Sequence, residues 1–139
     1  MARTFALGVS DHVMIAHSFA DPFFGPAQRL HGATYAIDLE VRAPALGPHE
    51  VVMDIGAMRD LLRAVLAELD YQNLDAHAAF AGRMSTTEHV AEYVADRAAE
   101  RLALLATDSA PAPGATLRVV VRESPIAYAA YERPLGPAR

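Results

Sequence analysis

The chain predicts an α+β domain in which one antiparallel sheet carries two helices on a single face. Three observations predict it. Apolar and polar residues alternate from Tyr35 to Arg42, the period of a half-buried strand. Two later stretches repeat at helical spacing instead: Met58, Leu61, Leu62, Val65, Leu66 and Leu69, then Val90, Val94, Ala98, Leu102 and Leu105. Extended segments flank this helical pair on both sides, which gives the order strand, strand, helix, helix, strand, strand and a four-stranded sheet.

The first strand spans Thr4 to Phe19, rich in Phe, Val, Ile and Ala with Gly8 as its interior breaker, and suits a strand buried on both sides or bulged. Asp21-Pro22-Phe23-Phe24-Gly25-Pro26 then forms a loop, because two prolines and a glycine prevent a continuous helix or ladder. Its phenylalanines either line a pocket or pack the turn, and packing is the commoner fate of apolar loop residues. In the second strand Tyr35, Ile37, Leu39 and Val41 form the apolar face, and His31 and Ala33 share their parity.

The turn-rich Ala43-Pro44-Ala45-Leu46-Gly47-Pro48 and then Val51 to Asp54 lead to the first helix. Asp70 to Asp75 ends it, and a loop continues through Phe80 to Gly82. Ser85-Thr86-Thr87-Glu88 has capping-box spacing, with Ser85 accepting from an early amide and Glu88 reaching back. Ala110-Pro111-Ala112-Pro113-Gly114 connects the second helix to a strand over Leu117 to Arg122. A last strand near Ala127 to Tyr131 precedes a tail expected to fray.

Bulk properties narrow the function. A chain of 139 residues, 53% apolar and 21% charged, fits a single domain over 1–139 with a real core. A net charge of −5, with basic residues scattered, gives no electrostatic reason for nucleic acid or an anionic membrane as partner. The absence of cysteine removes disulfides, thiolate ligands and thiol nucleophiles together. No stretch reaches the length of a membrane span and the amino terminus lacks a long apolar core, so a cytoplasmic protein is expected.

The strongest chemical signal is a pair of histidines. His17 in Ile15-Ala16-His17-Ser18-Phe19 and His31 in Leu30-His31-Gly32 sit on neighbouring strands and face the same buried side. Such a pair suggests metal, since zinc is commonly held by imidazole nitrogens and a catalytic zinc takes three protein ligands. Ala33 stands where a second histidine of that strand face belongs. Two imidazoles with water make a weaker, exchangeable site, and secure zinc needs another donor such as His49, His12 or a substrate oxygen. Strand parity turns His12 to the opposite face, and His49 lies in a turn. His77 and His89 read as surface residues.

Ala16-His17, Leu30-His31-Gly32, Val52-Met53-Asp54, Leu69-Asp70, Asn73-Leu74-Asp75, Thr86-Thr87-Glu88 and Arg122-Glu123-Ser124 follow one another along nearly the whole chain. In that order they resemble the 6-pyruvoyl-tetrahydropterin synthase and 6-carboxytetrahydropterin synthase family. The resemblance implies the tunnelling fold, in which three subunits join sheets edge to edge into a barrel and two trimers stack. A homo-oligomer is therefore expected, and open sheet edges agree with it. It also implies zinc on His17 and His31, with Ala33 at the third ligand, Ala27 at the family's cysteine and Tyr71 at its catalytic histidine. Glu123 matches the residue that accepts two hydrogen bonds from the amino-pyrimidinone edge of a pterin. Thr86 and Thr87 match a turn beside the heterocycle, although capping explains them too.

Two function classes follow. The first is a divergent lyase acting on a pterin-like heterocycle, not by the family's standard reaction, with Asp70, Tyr71 and His31 as acid and base. The second is a non-catalytic pterin- or purine-binding protein that keeps Glu123 and has lost turnover. A tyrosine cannot copy a histidine at neutral pH, because an unperturbed phenol titrates about three units higher, but it donates a hydrogen bond.

Overall fold

Two long strands set the frame. β1 (Phe5–His17) and β2 (His31–Ala43) pair antiparallel without a break from Phe5↔Ala43 to His17↔His31. The computed structural model describes residues 3–136; the last residues of the tail expected to fray lie outside them. β1 shows a single buried side rather than two and carries no bulge against β2, because Val13, Ile15 and His17 alternate with residues that face away. His12 is on that other side, as parity requires.

Helix α1 (Ile55–Ala67) is capped by Asp54, whose carboxylate accepts from the amides of Gly56 and Ala57. Helix α2 (Thr87–Leu102) corrects the expected capping box by one residue. Thr86 is the cap and accepts from His89 N–H at 3.2 Å, which frees Ser85 for a different partner. Between the helices the two-residue strand β3 (Gln72–Asn73) pairs parallel with β1, so the sheet has five strands rather than four. With β4 (Thr116–Ser124) and β5 (Ala127–Pro134) the order is β3-β1-β2-β4-β5.

Both helices cover one face of this sheet, and the core lies between. Tyr35, Ile37, Leu39 and Val41 of β2 meet Met58, Leu62 and Val65 of α1 and Val90, Val94 and Ala98 of α2 in one buried cluster. No helix among the described residues is long and apolar enough to cross a membrane.

A charged clamp holds the helices together. Glu68, capping the end of α1, accepts from Tyr93 Oη at 2.6 Å, Arg97 Nε at 3.0 Å and Arg101 Nη2 at 3.1 Å. Arg97 leads these partners in holding the carboxyl well below its usual range, down to about 2. The unfolded chain therefore binds the extra proton, and the clamp's contribution is complete above pH 4.5 and lost as pH falls toward 2. Glu68→Gln is expected to cost about 2 kcal/mol in urea unfolding at pH 7 and much less near pH 2. His77 and His89, read as surface residues, are half-buried and also serve the fold. His77 Nε2–H donates to the Glu68 carbonyl at 3.1 Å and His89 Nδ1–H to that of Met84 at 2.7 Å.

Candidate functional site

A cleft of about 960 Å³ opens where the sheet comes apart. The β2–β4 ladder ends at Ala36↔Arg122, so residues 31–35 lack a β4 partner. At the same level the β4–β5 register shifts between Arg122 and Ser124, and Glu123 is the bulged residue. Bulges re-aim side chains. Here the carboxylate lines the cleft at an exposed rim, near the end of β4, which runs past the expected Arg122 to Ser124. The amino-terminal turn of α2, with Thr86, Thr87 and Glu88, closes another side.

His17 and His31 stand together on the cleft wall as the terminal pair of the β1–β2 ladder, their ring centroids 4.6 Å apart. His17 Nδ1 lies 3.1 Å from the Ser85 carbonyl and 3.0 Å from its hydroxyl. A carbonyl only accepts, so Nδ1 carries the hydrogen and Nε2 keeps its lone pair. His31 repeats the arrangement, with Nδ1–H donating to the Arg29 carbonyl at 2.8 Å. Burial pushes the His17 pKa down, helped by His31 and opposed by Ser85 and Asp75. At neutral pH the cleft therefore presents a neutral His17.

Sequence reasoning missed two contributors, Tyr35 and Ser85. Tyr35 is buried with its phenol in the cleft; burial pushes it up to about 12, against the Thr87 hydroxyl and with Glu123. It remains a neutral hydrogen-bonding group. Its parity with His31 was the available signal, masked by the aliphatic residues that follow. Ser85 orients His17. Phe19, Phe23 and Phe24 do both things left open for that loop. Phe24 packs on Phe19 at 4.5 Å while Phe23, 85% exposed, lines the mouth.

Asp70 and Tyr71 lie elsewhere in the chain's own fold and do not line this cleft. The Asp70 carboxylate accepts from Met14 N–H at 3.0 Å, and Tyr71 N–H donates to the Met14 carbonyl at 2.7 Å, on the edge of β1. Tyr71 takes a left-handed φ of 58° and leaves its ring 79% exposed. Such a conformation costs a bulky residue of order 1 kcal/mol.

The donor set of this chain can be compared with what a resident zinc requires. Ala33 contributes no ligand, His12 faces the other side of the sheet, and His49 lines a separate cleft with Leu7 near the far end of β1. Among the described residues no three His, Cys, Asp or Glu side chains gather around one point. Two imidazoles fall short of a three-ligand catalytic zinc, so the residues of this chain do not fit that group.

Comparison with known proteins places this geometry. The family model described as 6-pyruvoyl tetrahydropterin synthase matches residues 6–134. Among curated proteins, 6-carboxy-5,6,7,8-tetrahydropterin synthase of Bacillus subtilis is 25% identical over 137 residues, covering 96% of this chain and 88% of that protein. Among solved structures, the Caenorhabditis elegans 6-pyruvoyl tetrahydropterin synthase is 21% identical with a TM-score of 0.74, covering 95% of this chain and 97% of that one. The Plasmodium vivax enzyme is 20% identical with a TM-score of 0.75, covering 96% and 99%. The two-layer fold thus agrees with solved structures of this kind, and with a family model matching nearly the whole sequence the chain belongs to the 6-pyruvoyl tetrahydropterin synthase family.

Proposed function

We propose that the protein binds a pterin-like bicyclic heterocycle in this cleft and acts on its side chain as a lyase that works without the family's zinc. The observation that carries the reading is the placing of Glu123, aimed by a bulge into the same cleft as His17 and His31. The amino-pyrimidinone edge of a pterin offers two parallel donors, which one carboxylate accepts together. Thr86 and Thr87, beside Glu123 in the cleft lining, serve the neighbouring ring carbonyl. Ring and carboxylate in place, the side chain runs toward the histidines.

A lyase step then needs only proton traffic. One proton leaves a side-chain hydroxyl, the adjoining carbon–carbon bond breaks as the carbonyl forms, and one proton returns to the carbon left on the ring. His31, half-buried with Nε2 free, takes the first. Asp70 and Tyr71 complete the set from a neighbouring copy. β1 has β3 beside it only at Ile15 and Ala16, so most of that edge is open to a second sheet, as is β5 on the other side. Trimers or hexamers built this way bring the exposed Tyr71 phenol to a cleft as a donor.

Ala27, Ala33 and Tyr71 replace three reactive groups at once, and that observation favours the second reading, a pterin- or purine-binding protein without turnover. One experiment separates them. The protein is titrated with 7,8-dihydroneopterin by fluorescence and the same mixture is followed by mass spectrometry. Saturable binding with a shortened side chain is the result expected of the lyase. Binding with unchanged ligand identifies the binder, and no binding at all removes both readings.

A further inference from the structure

Tyr35 sits at the point where the sheet opens. On β2 it pairs with Val13 of β1, and Ala36↔Arg122 beside it is the last pair of the β2–β4 ladder. The next β4 residue is Glu123, which the bulge takes out of register, so no β4 residue is paired with Tyr35. The side chain is 2% exposed and belongs to the core, yet it lines the cleft. A neighbouring copy that closes the cleft leaves this placement unchanged, because the chain's own core holds the ring.

Polar groups of the cleft lie around the phenol. Thr87 and Glu123 are near enough to shift its titration, and the His17 ring stands edge-on to it with centroids 6.3 Å apart. Thr87 acts to lower the phenol pKa, as a donor to its oxygen does, while burial keeps the group neutral. The phenol's own hydrogen is thereby left for another acceptor. Thr87 keeps its backbone N–H for a ligand, since an amide at the first position of a helix has no partner within it.

On the footing of the pterin reading, the cleft then offers Glu123, Thr87, Tyr35 and His17 in that order. Along one edge a pterin presents its amino-pyrimidinone donors, the ring carbonyl, the ring nitrogen N5 and the carbon that bears the side chain. With the donors on Glu123 and the side chain toward the histidines, N5 falls to the phenol. We propose that Tyr35 is a specificity-determining residue of this cleft, its phenol O–H donating to N5 and so selecting rings in which that nitrogen is a bare imine. Oxidised and 7,8-dihydro rings have this in-plane lone pair. A tetrahydro ring carries a hydrogen on N5 instead and leaves the buried hydroxyl without its acceptor, which costs more than the bond itself is worth.

Two ligands of one shape test this: 6,7-dimethylpterin and its 5-deaza analogue, in which a C–H group replaces N5. Each is titrated by fluorescence against the unmodified protein and against Tyr35→Phe. The unmodified protein is expected to bind 6,7-dimethylpterin on the order of tenfold more tightly than the deaza compound, which leaves the phenol hydrogen unpaired. Tyr35→Phe is expected to bind the two alike. The comparison on the unmodified protein involves no substitution, so it holds even where Tyr35→Phe fails to fold. Equal binding of the two ligands by the unmodified protein, or a preference that survives in Tyr35→Phe, overturns the role given to Tyr35 while the pterin reading stands. Failure of both ligands to bind the unmodified protein removes that reading and this one together.

Discussion

Glu123→Gln is expected to weaken binding of 6,7-dimethylpterin on the order of a hundredfold. The carboxylate accepts two charge-assisted hydrogen bonds, and glutamine keeps one acceptor while setting an N–H group against the second donor. At about 1.5 kcal/mol for the one bond lost, and about as much again for the N–H group set against its donor, the sum is near 3 kcal/mol, which corresponds to that factor. The same substitution leaves the fold alone, because Glu123 is exposed and, among the described residues, forms no hydrogen bond. Fluorescence titration reads the first effect and thermal unfolding the second. A midpoint unchanged to within a degree or so, with binding unchanged as well, contradicts the role given to this residue.

Ala33→His is expected to strengthen zinc binding at the His17–His31 pair by adding a third imidazole. Residues 31 and 33 lie two apart on β2 and share a face, and Ala33 lines the same cleft as His17 and His31. Both existing imidazoles are already oriented by carbonyl acceptors, with Nε2 available. Four-ligand structural zinc is held by about 10–16 kcal/mol, or roughly 3 per ligand, so a third imidazole is worth on the order of a hundredfold in affinity. Competition with a chromophoric chelator measures it on untagged protein. Zinc bound equally well by both proteins shows instead that another donor completes the natural site.

Much of the fold was legible because its signals are periodic. The alternation along β2 and the helical stripes of α1 and α2 report burial directly, and the two layers follow from them. The short strand β3 was not legible. It is held by two paired residues and by the Tyr71–Met14 bond, neither of which leaves a pattern. The capping residue was misplaced by one because Ser85 and Thr86 cap equally well in isolation. What decides between them is His17, distant in sequence, which claims Ser85.

The site divides in the same way. His17, His31, Thr86, Thr87 and Glu123 meet in one cleft, and parity alone placed the two histidines on one face. Glu123 reaches the rim through a bulge, a register shift that no residue of Arg122-Glu123-Ser124 announces. Tyr35 was hidden among aliphatic neighbours of equal parity. Asp70 and Tyr71 were grouped with the histidines by resemblance, whereas the chain's own fold puts them on the β1 edge.

Imidazole resonances provide the most direct measurement of where a ligand sits. The six histidines are labelled with nitrogen-15 and followed by nuclear magnetic resonance while 6,7-dimethylpterin is added. His17 and His31 are expected to shift together and saturate, while His12, His49, His77 and His89 stay in place. Ligand saturation that moves His49, or moves neither His17 nor His31, contradicts a heterocycle held between the histidine pair and Glu123.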